Sequence, residues 1–330
     1  MVNLVITKTP LRITFAGGGT DLPAYYKEYG PGAVVSAAIT KYIYVTVSNH
    51  FHKDEIRVSY SKTENAVKNI NDIQHPTVRE TLKFFDIKGG VQITSITEIP
   101  SQGTGLGSSS SFLVGLLNAL HAWQGDNTTP RKLAEEAVHI EREVLKEAGG
   151  KQDQYMAAFG GIQLMEFYKN GKVTLNPISI SKVKKENLEN HMLLMYTGKQ
   201  RSSSAIHINQ SSEIANHIIA YNKMRDYAYE TTKLLKTGDI RSLGNIMNAN
   251  WLLKKSLANG ISNRKINEWY THALGAGALG GKILGAGGGG FMLLIVEPNK
   301  HDQIIGTLTG LKKEDFKIEQ CGSKIIHIEN

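Results

Sequence analysis

A chain of 330 residues, 41% hydrophobic and 21% charged, has room for two modest domains and lacks the composition of a disordered protein. Its formal net charge of +8 is scattered, without an arginine-rich helix or a basic stretch interleaved with aromatics, which favours small anionic substrates over nucleic acid as partners. No run approaches the roughly 18 uncharged apolar residues of a membrane helix, and Cys321 is the single cysteine, which excludes an intrachain disulfide and a cysteine-built metal cage.

The first ten residues do not read as a signal peptide, so a reducing cytoplasm is the expected location. Alternating β-branched text predicts strands over residues 5–9 and 11–15, broken at Gly17-Gly18-Gly19. Further strands are predicted over 33–39, 42–47 and 90–97. After Gly107 and four serines, residues 112–123 read as a largely buried helix, and Pro130 opens another that runs to about Glu147. Strands return over 161–167 and 173–175, separated by the turn signal Asn170-Gly171. Residues 180–190 are polar and read as a domain junction, giving expected domains 1–186 and 187–330. A strand over 192–196 precedes helices over about 204–236 and 240–257. Residues 282–285 and 291–296 flank the run from Gly285 to Gly290. The text is α+β without clean βαβ alternation.

The segment from Pro100 to Ser111 carries the clearest chemistry. Gly103, Gly105 and Gly107 alternate ahead of an apolar helix, so backbone N–H groups and the positive helix end converge on an anion. The candidate phosphate cradle comprises Gly103, Thr104, Gly105, Leu106, Gly107, Ser108, Ser109 and Ser110. It is not a Walker A loop, because no lysine precedes the serines. The plain alternative is a flexible loop with an N-cap serine.

Gly285-Ala-Gly-Gly-Gly-Gly290 contains GxGxxG but leads into strand-like text, where a dinucleotide fingerprint would open a helix. It is either a tight turn or a close approach of backbone to a ligand. In the helix after Pro130, Leu133, Ala137, Ile140, Val144 and Ala148 share one face at about 100° per residue. Glu141 falls inside that face, unlike Glu135, Glu136, Glu143 and Glu147. A buried carboxylate needs a partner, here a salt bridge or a magnesium ion beside the phosphate loop. Asp153, after Gly149-Gly150, fits a cap or turn on its own, and the loop from Gly17 to Asp21 fits a plain turn after the strand that carries Arg12. The histidines lack zinc-site spacing, and no GxSxG elbow anchors a hydrolase triad.

Taken together, these segments resemble the GHMP kinase superfamily, named for galactokinase, homoserine kinase, mevalonate kinase and phosphomevalonate kinase. Thr9 to Asp21, Pro100 to Ser111 and Lys282 to Phe291 look like its three motifs in order, with Gly150-Lys-Gln-Asp-Gln154 between them. Within it, Gly-Lys-Gln-Asp-Gln-Tyr155 and Tyr196-Thr-Gly-Lys-Gln-Arg-Ser202 are most similar to the heptose 7-phosphate kinase branch and its fucokinase-like relatives. The resemblance implies a ribosomal-protein-like N-terminal domain with a left-handed βαβ unit, a ferredoxin-like C-terminal domain, and a cleft for ATP and sugar phosphate between them. It implies Ser108 and Glu141 as Mg²⁺ ligands, Asp153 as the catalytic carboxylate and Arg12 as the basic residue beside the reacting hydroxyl. Gly18, Gly19, Asp21, Gly287 and Gly288 would line the substrate side, and Arg201, with Lys199, would hold the substrate's own phosphate. It leaves room for a homodimer. The expected reaction phosphorylates the anomeric hydroxyl of the sugar phosphate. The competing readings are a silent ATP- and sugar-binding sensor, a nucleotide-dependent oxidoreductase resting on GxGxxG, and a nucleic-acid-binding module.

Overall fold

The structure, a computed structural model, describes residues 2–100, 103–198 and 204–330. The first sheet is built in chain order from β1 (Leu4–Ala16), β2 (Gly32–Asn49), β3 (Ile56–Ser59), β4 (Thr63–Val67), β5 (Val91–Thr97), β6 (Ile162–Phe167) and β7 (Val173–Pro177). The second sheet takes β8 (Met192–Tyr196), β9 (Gly280–Ile283), β10 (Phe291–Ile295) and β11 (Lys312–Glu314), and the chain then returns to the first sheet with β12 (Lys324–Glu329). The helices are α1 (Pro23–Tyr26), α2 (Pro76–Phe84), α3 (Ser108–Gln124), α4 (Pro130–Val138), α5 (Gln152–Phe159) and α6 (Lys182–Asn190), followed by α7 (Ser204–Glu213), α8 (Ile218–Thr237), α9 (Ile240–Ser256), α10 (Arg264–Gly275) and α11 (His301–Thr307).

β1 and β2 are single long strands where the sequence predicts two each. Their pairing register slips between Pro10 and Leu11, passing Thr40 and Lys41 on the partner strand. Proline has no N–H for the ladder, so the strand bulges there and continues. The length of β2 lets its first part pair with β6 and its last part with β5. β3 and β5 run parallel with α2 in the connection. The second sheet is antiparallel in the order β11-β8-β10-β9. With α7 to α10 after β8 and α11 after β10, that is the ferredoxin-like arrangement. The chain thus has the two-domain α+β fold.

The polar stretch expected as a junction is α6, capped by the Ser181 side chain on the Lys184 amide, so the expected boundary falls inside a helix. β12 adds to β1 at the edge of the first sheet. The helical stretch after Ser204 breaks into α7 and α8 around a 3₁₀ turn, Ala215–His217. The two halves share their cores: Val5 and Leu11 of β1 belong to one cluster with Ala228, Leu243 and Met247 of α8 and α9. Among the described residues no helix is long and apolar enough to cross a membrane.

α3 is buried along most of its length and packs on β1 and β2. The approach is closest at Gly115, whose carbonyl accepts the Thr7 hydroxyl at 2.9 Å. A β-carbon there would lie 2.7 Å from the Thr9 hydroxyl oxygen. Gly115→Val should therefore destabilise the fold by about 1–3 kcal/mol through overpacking, read as a lower urea midpoint. An unchanged midpoint would show that α3 can move off the sheet without cost.

Candidate active site

The N-terminus of α3, the glycine loop before β10 and the loop ahead of α5 enclose a cavity of about 580 Å³. Its floor begins at Arg12 on β1, 4% exposed. Arg12 Nε and Nη2 donate to the two carboxylate oxygens of Asp153 at 2.8 Å each, and Nη1 donates to the Gly105 carbonyl. The Arg12 amide donates to the Leu106 carbonyl at 3.0 Å. One residue therefore ties β1 to the glycine loop ahead of α3 and to α5.

Asp153 stands in the first turn of α5, where the helix dipole favours a carboxylate. It abuts Gly107, where a β-carbon would lie 3.3 Å from the carboxylate, and the φ of +77° favours glycine as well. The two glycine loops touch directly. A β-carbon on Gly105 would sit 2.4 Å from the Leu284 carbonyl oxygen, and one on Gly290 would sit 2.3 Å from that of Thr104. The Phe291 amide donates to the same Thr104 oxygen at 3.1 Å.

Glu141 is 1% exposed. It accepts the Ser110 hydroxyl at 2.9 and 3.1 Å and the Gln154 amide, and Arg142 Nη2 lies 3.4 Å away. Burial pushes its carboxyl up to about 7 against the pull of Arg142. The inward position agrees with the helical-face reading, but the face itself does not persist. The backbone widens into a π-helical turn over His139–Val144, which shifts the later residues around the axis, and Val144 ends up 43% exposed.

Asp21 is buried, and its two carboxylate oxygens accept the amides of Gly19 at 3.0 Å and Gln152 at 3.4 Å. It leaves no room at Gly150, where a β-carbon would overlap the Asp21 carboxylate at 1.7 Å. That contact accounts for a glycine at this position.

The structure thus brings Arg12, Gly19, Asp21, Gly103, Thr104, Gly105, Gly107, Ser108, Ser109, Ser110, Glu141, Asp153 and Gly287 onto the lining of one cavity. Gly18, Leu106 and Gly288 stand outside that lining; the Gly288 amide is committed to the Ile261 carbonyl at 2.7 Å. Arg201 and Lys199 lie outside the described residues. The hydroxyl bonded to Glu141 is that of Ser110, while Ser108 faces Thr104 Oγ1 at 3.2 Å. Sequence reading missed Arg142, Gln152, His207 and Lys254, which also line the cavity. Lys254 follows apolar text and precedes another lysine, so nothing local marks it as the inward one.

A magnesium ion generally takes one or two carboxylates and fills its other positions with waters and phosphate oxygens. The single buried Glu141 beside serine hydroxyls fits that requirement, and among the described residues no cluster of three acidic, histidine or cysteine side chains offers an all-protein metal cage.

A family model for the GHMP kinases N terminal domain matches residues 66–161, and one for the GHMP kinases C terminal matches residues 231–309. A D-glycero-alpha-D-manno-heptose 7-phosphate kinase from Campylobacter jejuni is 33% identical, with 96% of this chain and 97% of the relative covered. An L-fucokinase/L-fucose-1-P guanylyltransferase from Bacteroides fragilis is 26% identical over 89% of this chain, which spans 35% of that longer protein. The crystal structure of a D-glycero-D-manno-heptose 1-phosphate kinase from Bacteroides thetaiotaomicron superposes with a TM-score of 0.81 at 26% identity, covering 99% of this chain and 100% of the other. With Arg12, Asp153 and the phosphate loop assembled in one cavity and the likeness running the length of the chain, the protein belongs to the GHMP kinases, ATP-dependent phosphotransferases that act on an alcohol group.

Proposed function

We propose that the protein is a cytoplasmic sugar-phosphate kinase that transfers the γ-phosphoryl group of ATP to the anomeric hydroxyl of D-glycero-D-manno-heptose 7-phosphate, giving the 1,7-bisphosphate. The observation that carries this reading is the two-pronged grip of Arg12 on Asp153 at the foot of α3. It places a carboxylate beside the point where helix dipole and loop amides collect phosphate. The similarity to a heptose 7-phosphate kinase supports the choice of acceptor.

In this mechanism the backbone of Gly103 to Ser110 cradles the triphosphate. Ser108 and Glu141, with Ser110 beside them, would hold a magnesium ion, which when bound offsets charge on the phosphate oxygens. Asp153 orients the acceptor hydroxyl and takes its proton, and Arg12 fixes the carboxylate in line. Asp21 and Gly19 meet the sugar hydroxyls. Phosphoryl transfer is loose, so positioning and charge stabilisation dominate over full deprotonation.

Two of the related names place the acceptor's phosphate differently, at carbon 7 and at carbon 1, and a fucokinase-like acceptor carries none. ADP release with heptose 7-phosphate, heptose 1-phosphate and free fucose decides among them, and the 7-phosphate should give the highest kcat/KM. A free sugar as the better substrate would overturn the sugar-phosphate assignment and leave the kinase assignment intact.

Asp153→Asn should lower kcat by roughly two to four orders of magnitude while ADP affinity, followed by calorimetry, stays near that of the wild type. Turnover within a few-fold of wild type would remove Asp153 from the chemistry.

The raised Glu141 carboxyl has a stability consequence. Its folded value of about 7 lies above the ordinary 4.5, so between these values the folded protein holds a proton that the unfolded chain has released. Stability in the absence of metal is thus favoured below that window and declines as pH rises through it. Melting temperatures in chelator should fall less between pH 5 and 8 for Glu141→Gln than for the wild type. Parallel slopes would mean that the buried carboxylate does not titrate in this range.

A further inference from the structure

Three lysine and arginine side chains line the cavity among the described residues: Arg12, Arg142 and Lys254. Two of them are committed. Every guanidinium nitrogen of Arg12 is engaged by Asp153 or Gly105. Arg142 donates to the carbonyls of Gly150 at 3.0 Å and Glu147 at 3.2 Å, with its remaining nitrogen beside Glu141. Lys254, on α9, is different. It is 4% exposed, and its one hydrogen bond among the described residues goes to the Gly285 carbonyl at 2.7 Å. An ammonium has three N–H groups, so two remain for a ligand. Its Nζ also lies beside the loop after β1, 3.6 Å from where a β-carbon on Gly18 would stand. A buried cation with unused donors in a phosphate-binding cavity is costly unless an anion completes it.

We propose that Lys254 is a further catalytic residue, its ammonium contacting the phosphoryl group as that group passes from ATP to the acceptor. The inference rests on the phosphotransfer reading above. In the step, the bond between the γ-phosphorus and the β–γ bridging oxygen breaks and ADP keeps the electron pair. A bond forms between phosphorus and the acceptor oxygen, whose proton goes to Asp153. Lys254 stays protonated throughout, and its two free N–H groups meet the oxygens over which charge spreads. Arg12 cannot take that part, because it holds Asp153 in place.

The surroundings make the charge titratable. Lys254 faces Asp21 from the loop after β1, Arg12 from β1, Asp153 from α5, His207 from α7 and Lys282 from β9. Burial lowers it to about 8, with Asp21 opposing. The protonated form is the active one, so kcat should fall as pH rises past about 8.

The test compares Lys254→Met and Lys254→Arg with the wild type, measuring both transfer to heptose 7-phosphate and the slow hydrolysis of ATP by water. The second reaction still reports on Lys254 if the sugar assignment is wrong. Lys254→Met should lose roughly a hundredfold in kcat while ADP affinity and melting temperature hold. Lys254→Arg should recover about a tenth or more of wild-type kcat and move the alkaline limb upward by about one pH unit or more, since arginine stays charged. The proposal is overturned if Lys254→Met keeps kcat within about threefold. It is equally overturned if ADP affinity falls in step with kcat, which would mark a tether for the Gly285 loop. An arginine variant that recovers nothing, or whose alkaline limb stays in place, overturns it too.

Discussion

The site depends on how closely two glycine loops approach each other. Gly105 and Gly285 come so near that a β-carbon on Gly285 would lie 2.6 Å from the Gly105 α-carbon. Only bare backbone allows the second domain to close on the phosphate loop at this distance. Arg12 then uses that loop as an anchor, reaching the Gly105 carbonyl on one side and Asp153 on the other. The Asp153 carboxylate is thus placed by a strand, a loop and a helix together. A shift in any of them would move it, and rigid placement is what this chemistry requires.

In and beside the cavity, three ionisable side chains are deeply buried. Glu141, Lys254 and Lys282 are each almost inaccessible to water, and burial works against the charged form of each. Glu141 is partly compensated by Ser110, Gln154 and Arg142. Lys282, on β9 outside the lining, is lowered well below its ordinary value by burial first and by the nearby Lys254 and Arg12 second. Keeping such groups charged costs least where opposite charge lies close by. The π-helical turn at His139–Val144 belongs to the same picture, since such widened turns recur at functional sites.

The parts of the site that could be read in the sequence are those that backbone geometry forces into local text. Gly103, Gly105 and Gly107 all take positive φ, and their alternation ahead of an apolar helix is visible without any fold. Glu141 was legible through helical periodicity even though the helix changes type around it. Lys254, His207 and Arg142 were not, because each owes its role to which side chain a tertiary contact turns inward. The fold shows the same division. β1 and β2 were found but split, because a bulge at Pro10 looks like a strand end. β12 was missed because its six residues are exposed and its pairing with β1 spans nearly the whole chain. The helical state of α6 is not legible because Leu188 is its one buried residue, which leaves no apolar stripe to detect.

The division between the two halves of the cavity bears on how such an enzyme selects its acceptor. One part of the lining is glycine-loop backbone with the Arg12–Asp153 ion pair. Side chains of α7 and α9, namely Ser204, His207 and Lys254, line the cavity as well. Of these, His207 Nδ1 is buried without a hydrogen-bond partner among the described residues, as are the Tyr221 hydroxyl and Asn250 Nδ2, which are fully buried outside the lining. Tyr221 and His207 both feel the charge of Asp21, and Asn250 Oδ1 holds the Gly17 amide at 3.1 Å, so all three gather around the loop from Gly17 to Asp21. Leaving such a group unpaired costs about 1–3 kcal/mol, and a hydroxyl-bearing ligand offers a partner to His207, the one of the three on the cavity lining. Discrimination by unmet hydrogen bonds is steep, because an acceptor lacking the matching hydroxyl leaves the penalty in place. Polar groups of both halves of the chain thus meet at the loop from Gly17 to Asp21, and that part of the lining suits a hydroxyl-rich ligand better than an apolar one.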